Sequence, residues 1–390
     1  MNRFPAWRRS MCDMDRRGGL PGGLGSWWPP VLAWLAATTV VVVTAAAEGW
    51  PPFAATRTWM RWDSGFYLQI AAGGYHLFQC SPGHRPVTWC GNSGWFPGYS
   101  WIVADLHWFA LPLAATALAV SWLAFLGALL VLWRAFLVHQ SWPAAAAAVA
   151  YAAFTPGLAY EYGVFPLALL SLCTVAFFAL LQRERWLSAG IAAAVAALAY
   201  PVGVIAAPVA AVWLLADRSV PFSQRARRVA AVAGPAVAAL VFFVFVQQLE
   251  TGHWNAYLLT QAKYGHRLTS PTVAVADAIS QAAQAPLGLA SAPALQALLI
   301  TFVLICVGVA VAVRRDLSKR FDVLIVIWAV AVWLELYAET ALDSYRGVAG
   351  LLPLAVLLPR LPRPLAAAIA VAAILIAVPM MTLFFRGVLR

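Results

Sequence analysis

The sequence predicts an all-α fold, a polytopic transmembrane helical bundle of about eleven spans with a layer of loops and interfacial helices on one face. Three observations predict it. Of 390 residues, 63% are apolar and 11% charged, with a mean hydropathy of +0.78, which leaves too little polar surface to cover a soluble globule of this size. Apolar runs near the roughly 20 residues that a helix needs to cross a bilayer recur along the chain. Arginines, finally, concentrate in the segments between alternate runs.

In chain order, residues 1–28 are rich in Arg, Gly and Pro and read as a disordered cytoplasmic tail, with 29–390 as one transmembrane domain. Spans are expected at 30–48, 112–133, 142–159, 164–181, 186–200, 202–216, 229–249, 293–313, 323–341, 347–359 and 364–385. The two short runs that meet at Tyr200-Pro201 predict a broken helix or a re-entrant pair. Such backbone must be covered by protein or line a water-filled cavity. Ala45-Ala46-Ala47 after the first run resembles a signal-peptidase site, but the long leading tail and near-membrane length of the run favour an uncleaved span.

With the N-terminus inside, cytoplasmic segments hold 18 of the 26 basic and 6 of the 15 acidic residues, so the inside balance is +12 and the outside balance −1. The formal +11 is therefore an orientation signal and not a nucleic-acid footprint. Arginine outnumbers lysine 24 to 2 and alanine is abundant, which points to a bacterial source and the plasma membrane. Two long outer loops follow, 49–111 and 250–292. In the first, Cys80 and Cys90 lie where oxidation is permitted and flank a turn-rich Ser81-Pro82-Gly83-His84-Arg85-Pro86, so a disulfide is expected. Cys173 and Cys306 sit inside apolar runs as packing residues. His76, His84 and His107 lack ligand spacing, and no metal site is expected.

Polar chemistry gathers on the predicted outer side. Arg61-Trp62-Asp63-Ser64-Gly65-Phe66-Tyr67 follows the first span. Trp59, Trp62, Phe66 and Ile70 recur at spacings of three and four, which predicts a helix lying flat in the interface with Asp63 and Tyr67 on a neighbouring face. Asp63 fits either a reaction centre or a solvated carboxylate beside an aromatic anchor. Gly94-Trp95-Phe96-Pro97-Gly98-Tyr99-Ser100 opens a partly polar helix carrying Asp105 and His107, which covers or shapes a site. Tyr160-Glu161-Tyr162 between two spans fits a rim contact to a sugar hydroxyl, a partner for an arginine, or an ordinary short loop.

In the second loop, Lys263 and Arg267 stand among His253, Trp254, Tyr264 and His266. The cationic pair suits a phosphate at headgroup level, or a side chain snorkelling to the interface. Glu335, Glu339, Asp343, Tyr345 and Arg346 gather at the outer end of the ninth span, where a charge is costly unless it serves a site or a partner. Arg346 is the natural partner of those acids, or a phosphate ligand. No Walker or Rossmann fingerprint is present.

These residues resemble the membrane mannosyltransferases related to the second GPI mannosyltransferase, PIG-V. The resemblance rests on Trp62-Asp63 with Tyr67, Ala71 and Gly74-Tyr75, then Phe96-Pro97-Gly98-Tyr99, Phe154-Thr155-Pro156 with Tyr160-Glu161, and Ala196-Ala197-Leu198 before Pro201 and Gly203. It continues through Gly252, Ala256, Gln261, Tyr264-Gly265-His266-Arg267 and Tyr345-Arg346 leading to Leu352-Pro353, so it covers about residues 30 to 360. Gly98 stands where family members usually have leucine, and Tyr200 where an arginine is common before the proline.

The resemblance implies a GT-C type glycosyltransferase that takes mannose from a polyprenyl-phosphate donor on the extracytoplasmic face; the superfamily includes metal-dependent members, but no acidic pair for a metal stands in this sequence and no cofactor is expected. The acceptor would be a cell-envelope glycolipid or glycan, and the other partners membrane lipids; arabinose or glucose on the same kind of lipid are alternatives. It further implies Asp63 as general base, Arg61, Lys263, Arg267 and Arg346 as cations for the donor phosphate, and Trp62, Tyr67, Tyr99 and Glu161 as sugar or acceptor contacts. Two rivals from other classes are a lipid or solute transporter and a non-catalytic assembly subunit.

Overall fold

The computed structural model describes residues 27–53, 55–81, 83, 87–107, 111–155, 157–265, 268–285, 288–314, 319–338 and 344–389. The tail up to residue 26, His84, His266, Arg267, Glu339 and Asp343 lie outside them. Regular structure among the described residues is helical apart from one two-stranded hairpin.

The first apolar run is helix α1 (Trp28–Ala47), opened by Pro29 and Pro30, whose missing N–H groups cost nothing in a first turn. The loop after it holds a 3₁₀ turn (Thr56–Trp59), α2 (Ser64–Gly73), the antiparallel strands β1 (Leu77–Gln79) and β2 (Trp89–Gly91), and α3 (Gly98–Leu106). Cys80 and Cys90 are joined at the mouth of that hairpin, with Cα atoms 5.0 Å apart. Next come α4 (Leu113–Leu132), extended by a π turn to Leu137, then α5 (Trp142–Ala153), the short α6 (Leu158–Tyr162), α7 (Leu167–Gln182) and α8 (Trp186–Ala199). After a 3₁₀ turn (Pro201–Ile205) the chain forms α9 (Ala206–Leu215), α10 (Phe222–Thr251), α11 (Ala256–Gln261) and α12 (Pro271–Gln284). The last elements are α13 (Ala292–Val313), α14 (Lys319–Ala338), α15 (Ser344–Gly347), 3₁₀ segments at Val348–Val356 and Leu358–Arg360, and α16 (Arg363–Phe385).

Each apolar run of the sequence carries a helix. Among the described residues six helices are long and apolar enough to cross a membrane, namely α1, α4 with its π turn, α10, α13, α14 and α16; five further apolar helices there are shorter. Two of the short ones, α8 and α9, form a hairpin around Tyr200-Pro201 instead of one broken helix. A Cβ at Gly203 would lie 2.0 Å from the Ala196 carbonyl oxygen, so this turn closes only on glycine. Helix α3 rests on the tip, where a Cβ at Gly98 would lie 2.8 Å from the Leu198 carbonyl. Below the tip, Ala189, Gly190, Ala193 and Ala196 let α8 approach α10 closely, as small residues do between helices in lipid.

The segment from Ser344 to Arg360 replaces the tenth expected span with largely 3₁₀ backbone. At about 2.0 Å rise per residue it covers roughly 30 Å, more than an α-helix of equal length. Its core is buried throughout, and Trp328 Nε1 and Ser171 Oγ donate to the Gly350 and Ala349 carbonyl oxygens. At one end Arg360 forks onto Asp322 at 3.0 and 3.3 Å. Arg346, at the other end, reaches Asp63.

One expectation needs correction. Trp59 to Ile70 is not a single interfacial helix: the 3₁₀ turn ends at Trp59, Met60 is extended, Trp62 has φ +39°, and α2 starts only at Ser64. Tertiary packing overrides the local periodicity. Trp59 is buried edge-on to Trp122 and Phe385, its ring N–H donates to the Pro52 carbonyl, and its own carbonyl accepts from Val164 N–H. Ile70 is buried as well, so the stripe faces protein at both ends.

Candidate active site

Asp63 is the N-cap residue of α2, yet its side chain makes no capping bond. An N-cap aspartate ordinarily accepts from the first-turn N–H groups. Here the carboxylate turns away and pairs with the Arg346 guanidinium through Oδ2 and Nη1. The preceding Trp62 holds a left-handed backbone, which is rare for a bulky residue and costs about 1–3 kcal/mol. Its surroundings fix it there: the Trp62 ring stands edge-on to Phe384 at 5.8 Å, and Arg61 N–H donates to Ser64 Oγ at 3.0 Å. Asp63 follows this left-handed residue directly, and the N-terminus of α2 favours its negative charge.

Arg346 is nearly enclosed, with 8% of its side chain exposed against 22% for Asp63. Its guanidinium carbon lies 5.5 Å from the Tyr160 ring, 5.8 Å from Tyr345, and 5.9 Å from both Trp62 and Phe165. Tyr160 and Tyr345 stack on each other at 5.7 Å. The ring faces attract the cation, and the scarcity of water around it strengthens its pairing with Asp63. Gly347 makes the close turn possible, since a Cβ there would lie 2.1 Å from Leu336 Cδ2.

Two more cations flank the pair. Arg61 stacks over Trp50 at 4.0 Å and donates through Nη1 to the Met60 and Arg57 carbonyls, while its buried Nη2 has no hydrogen-bond partner among the described residues. Partial burial lowers the Arg61 pKa without threatening its charge. Lys263 has its pKa lowered by burial, an effect opposed by the negative charge of Asp63, which brings the two within electrostatic reach. Arg267 falls outside the described residues.

The remaining expected contacts lie deeper. Tyr67 is buried, edge-on to Tyr99 and Phe165. The Tyr99 hydroxyl donates to the Ala117 carbonyl at 2.7 Å and bonds Ser121, so Tyr99 supports Tyr67 from below rather than facing a surface. Glu161 is not a rim residue. It is fully buried on α6, with Oε1 2.7 Å from Ser171 Oγ and Oε2 unpartnered. Ser171 has one hydroxyl proton but two acceptors in reach, Glu161 and the Ala349 carbonyl at 3.2 Å, an arrangement completed when Glu161 supplies a proton of its own.

Burial pushes the Glu161 pKa up to about 8, with the Ser171 bond opposing. The folded pKa lies above the ordinary 4.5, so stability is greatest below that value and falls as pH rises toward 8, at about 1 kcal/mol per pH unit. Glu161→Gln is expected to flatten this slope and to be the more stable protein at pH 7.5. Thermal unfolding in detergent at pH 5 and pH 7.5 checks it; equal slopes in both proteins would sink the assignment.

Side-chain amides stitch the two loops into one layer. Gln247, buried on α10, donates to the Ser93 carbonyl and accepts from Tyr257 N–H; Gln261 donates to the Gly94 carbonyl. Asn92 bridges His76 N–H and the Gly74 carbonyl, and the Glu250 carboxylate accepts from Tyr75 N–H at 2.6 Å. This layer sets Lys263 relative to Asp63. Sequence reasoning missed Gln247, Trp50, Phe165 and Phe384; the pair Gln247-Gln248 at the end of an apolar run was the one available signal. Among the described residues no three His, Cys, Asp or Glu side chains gather to hold a metal ion. No known family matches the chain, and no curated protein matches it.

Proposed function

We propose that this chain is a membrane glycosyltransferase of the GT-C type, with about eleven spans, that transfers mannose from a polyprenyl-phosphate donor to a hydroxyl of an extracytoplasmic glycolipid or glycan. The observation that carries the reading is the ionic pair of Asp63 and Arg346 set among aromatic rings, with Lys263 in electrostatic reach, at one end of a bundle of apolar helices. A carboxylate and several cations suit a reaction that must take a proton from an alcohol and neutralise a departing phosphate. Aromatic faces suit a sugar and the first isoprene units. The charge asymmetry of the loops supports an extracytoplasmic position for this end, and the arginine- and alanine-rich composition supports a bacterial plasma membrane.

In the proposed step the acceptor oxygen attacks the anomeric carbon from the side opposite the phosphate. Its proton passes to the Asp63 carboxylate, and the bond from carbon to phosphate oxygen breaks with its electron pair leaving on the phosphate. Arg346, Lys263 and Arg61 are the cations for that charge. Purified protein in liposomes, given labelled polyprenyl-phosphate-mannose and envelope lipid extract, is expected to move label onto a new glycolipid or glycan. Flux of an unaltered lipid across the vesicle would favour a transporter instead, label accepted only from glucose or arabinose donors would change the sugar, and an untouched donor would leave an assembly subunit.

A further inference from the structure

We infer that the donor phosphate unlocks the base: it takes the Arg346 guanidinium from Asp63, so that donor binds before acceptor is activated. This rests on the glycosyltransferase reading and adds an order of events to it. Without ligand, Asp63 and Arg346 each occupy the group that the other needs free. A carboxylate oxygen that accepts from a guanidinium is not turned to an acceptor hydroxyl, and an enclosed guanidinium bound to a carboxylate is a poor phosphate ligand. Both functions become available together only when the pair is exchanged for another.

The geometry favours that exchange. Arg346 meets Asp63 through Nη1 at a single carboxylate oxygen, Oδ2, whereas a phosphodiester offers two non-bridging oxygens to the planar fork of an arginine. The rings of Tyr160, Tyr345, Trp62 and Phe165 stay with the guanidinium whichever anion it holds, so the exchange does not strip the cation of its surroundings. Asp63 is the more exposed partner, the one an acceptor hydroxyl can reach. Arg61 is already anchored on two backbone carbonyls and leaves the exchange to Arg346. Such a site stays latent until a lipid-linked sugar arrives, and kinetics with donor leading follow.

Binding of farnesyl phosphate to the full chain in detergent micelles tests this, with farnesol as the uncharged control and thermal unfolding to check each variant. Removing the competing carboxylate in Asp63→Asn is expected to tighten farnesyl phosphate binding about tenfold or more, because the incoming anion no longer displaces another. Arg346→Met is expected to abolish that gain, and farnesol to bind all three proteins alike. Equal or weaker binding of farnesyl phosphate by Asp63→Asn would overturn the exchange while leaving the donor reading intact. Absence of any difference between farnesyl phosphate and farnesol in the wild type and in Asp63→Asn would overturn both. Should Asn at this position prevent folding, Asp63→Ser carries the same contrast.

Discussion

Asp63→Asn is expected to lower sugar transfer by about 10²–10⁴-fold, the usual contribution of a positioned general base, while the protein still folds. Asparagine keeps the size and shape of the side chain, and its carbonyl oxygen still accepts from Arg346 Nη1. It cannot take the acceptor proton. Two effects compete for the phenotype. Losing half of a buried ion pair costs about 3–5 kcal/mol when the surviving charge is stranded. Here the survivor is Arg346, which keeps four aromatic rings and a neutral acceptor, and Asp63 itself is partly exposed. The stability cost is therefore the smaller term, and a melting temperature within a few degrees of wild type is expected. Label transfer in liposomes together with thermal unfolding separates the two. A variant that melts normally and keeps more than a tenth of wild-type transfer removes Asp63 from the chemistry.

The helical bundle was legible in the sequence because a bilayer makes folding partly one-dimensional. Every run without charges must become a helix to satisfy its own backbone, so hydropathy alone finds the segments. Side-chain partners across the bundle are written in no local pattern. Asp63 and Arg346 stand 283 positions apart, and no spacing in the sequence points from one to the other. Phe384 and Phe385, at the end of the last apolar run, read like any lipid-facing pair, yet they wall the Trp59 and Trp62 turn. Glu161 was visible as an acid between spans, but whether it faced a rim or the interior depended on Ser171, a hydroxyl on a helix 10 positions further on. The Trp59 to Ile70 stripe misled because buried aromatics recur at helical spacing even where the backbone turns between them.

Gly98→Leu is expected to damage both the fold and the site. At Gly98 the first side-chain atom would already lie 2.8 Å from the Leu198 carbonyl carbon and oxygen and 2.9 Å from its Cβ. A flexible side chain yields to such a contact; helix backbone does not. Overpacking in a tight interior typically costs about 1–3 kcal/mol, and a backbone neighbour puts this case at the upper end or beyond. The damage travels because α3 carries Tyr99 and Ser100. Lifting α3 off the hairpin tip pulls the Tyr99 hydroxyl from Ala117 and Ser121 and the Ser100 hydroxyl from the Tyr67 carbonyl at 2.8 Å. Tyr67 lies one helical turn after Asp63, and its N–H donates to the Asp63 carbonyl. Transfer activity is thus expected to fall along with the melting temperature, and Gly98→Ala to show a smaller version of both. A Gly98→Leu protein that melts with the wild type would mean that α3 does not rest on Leu198.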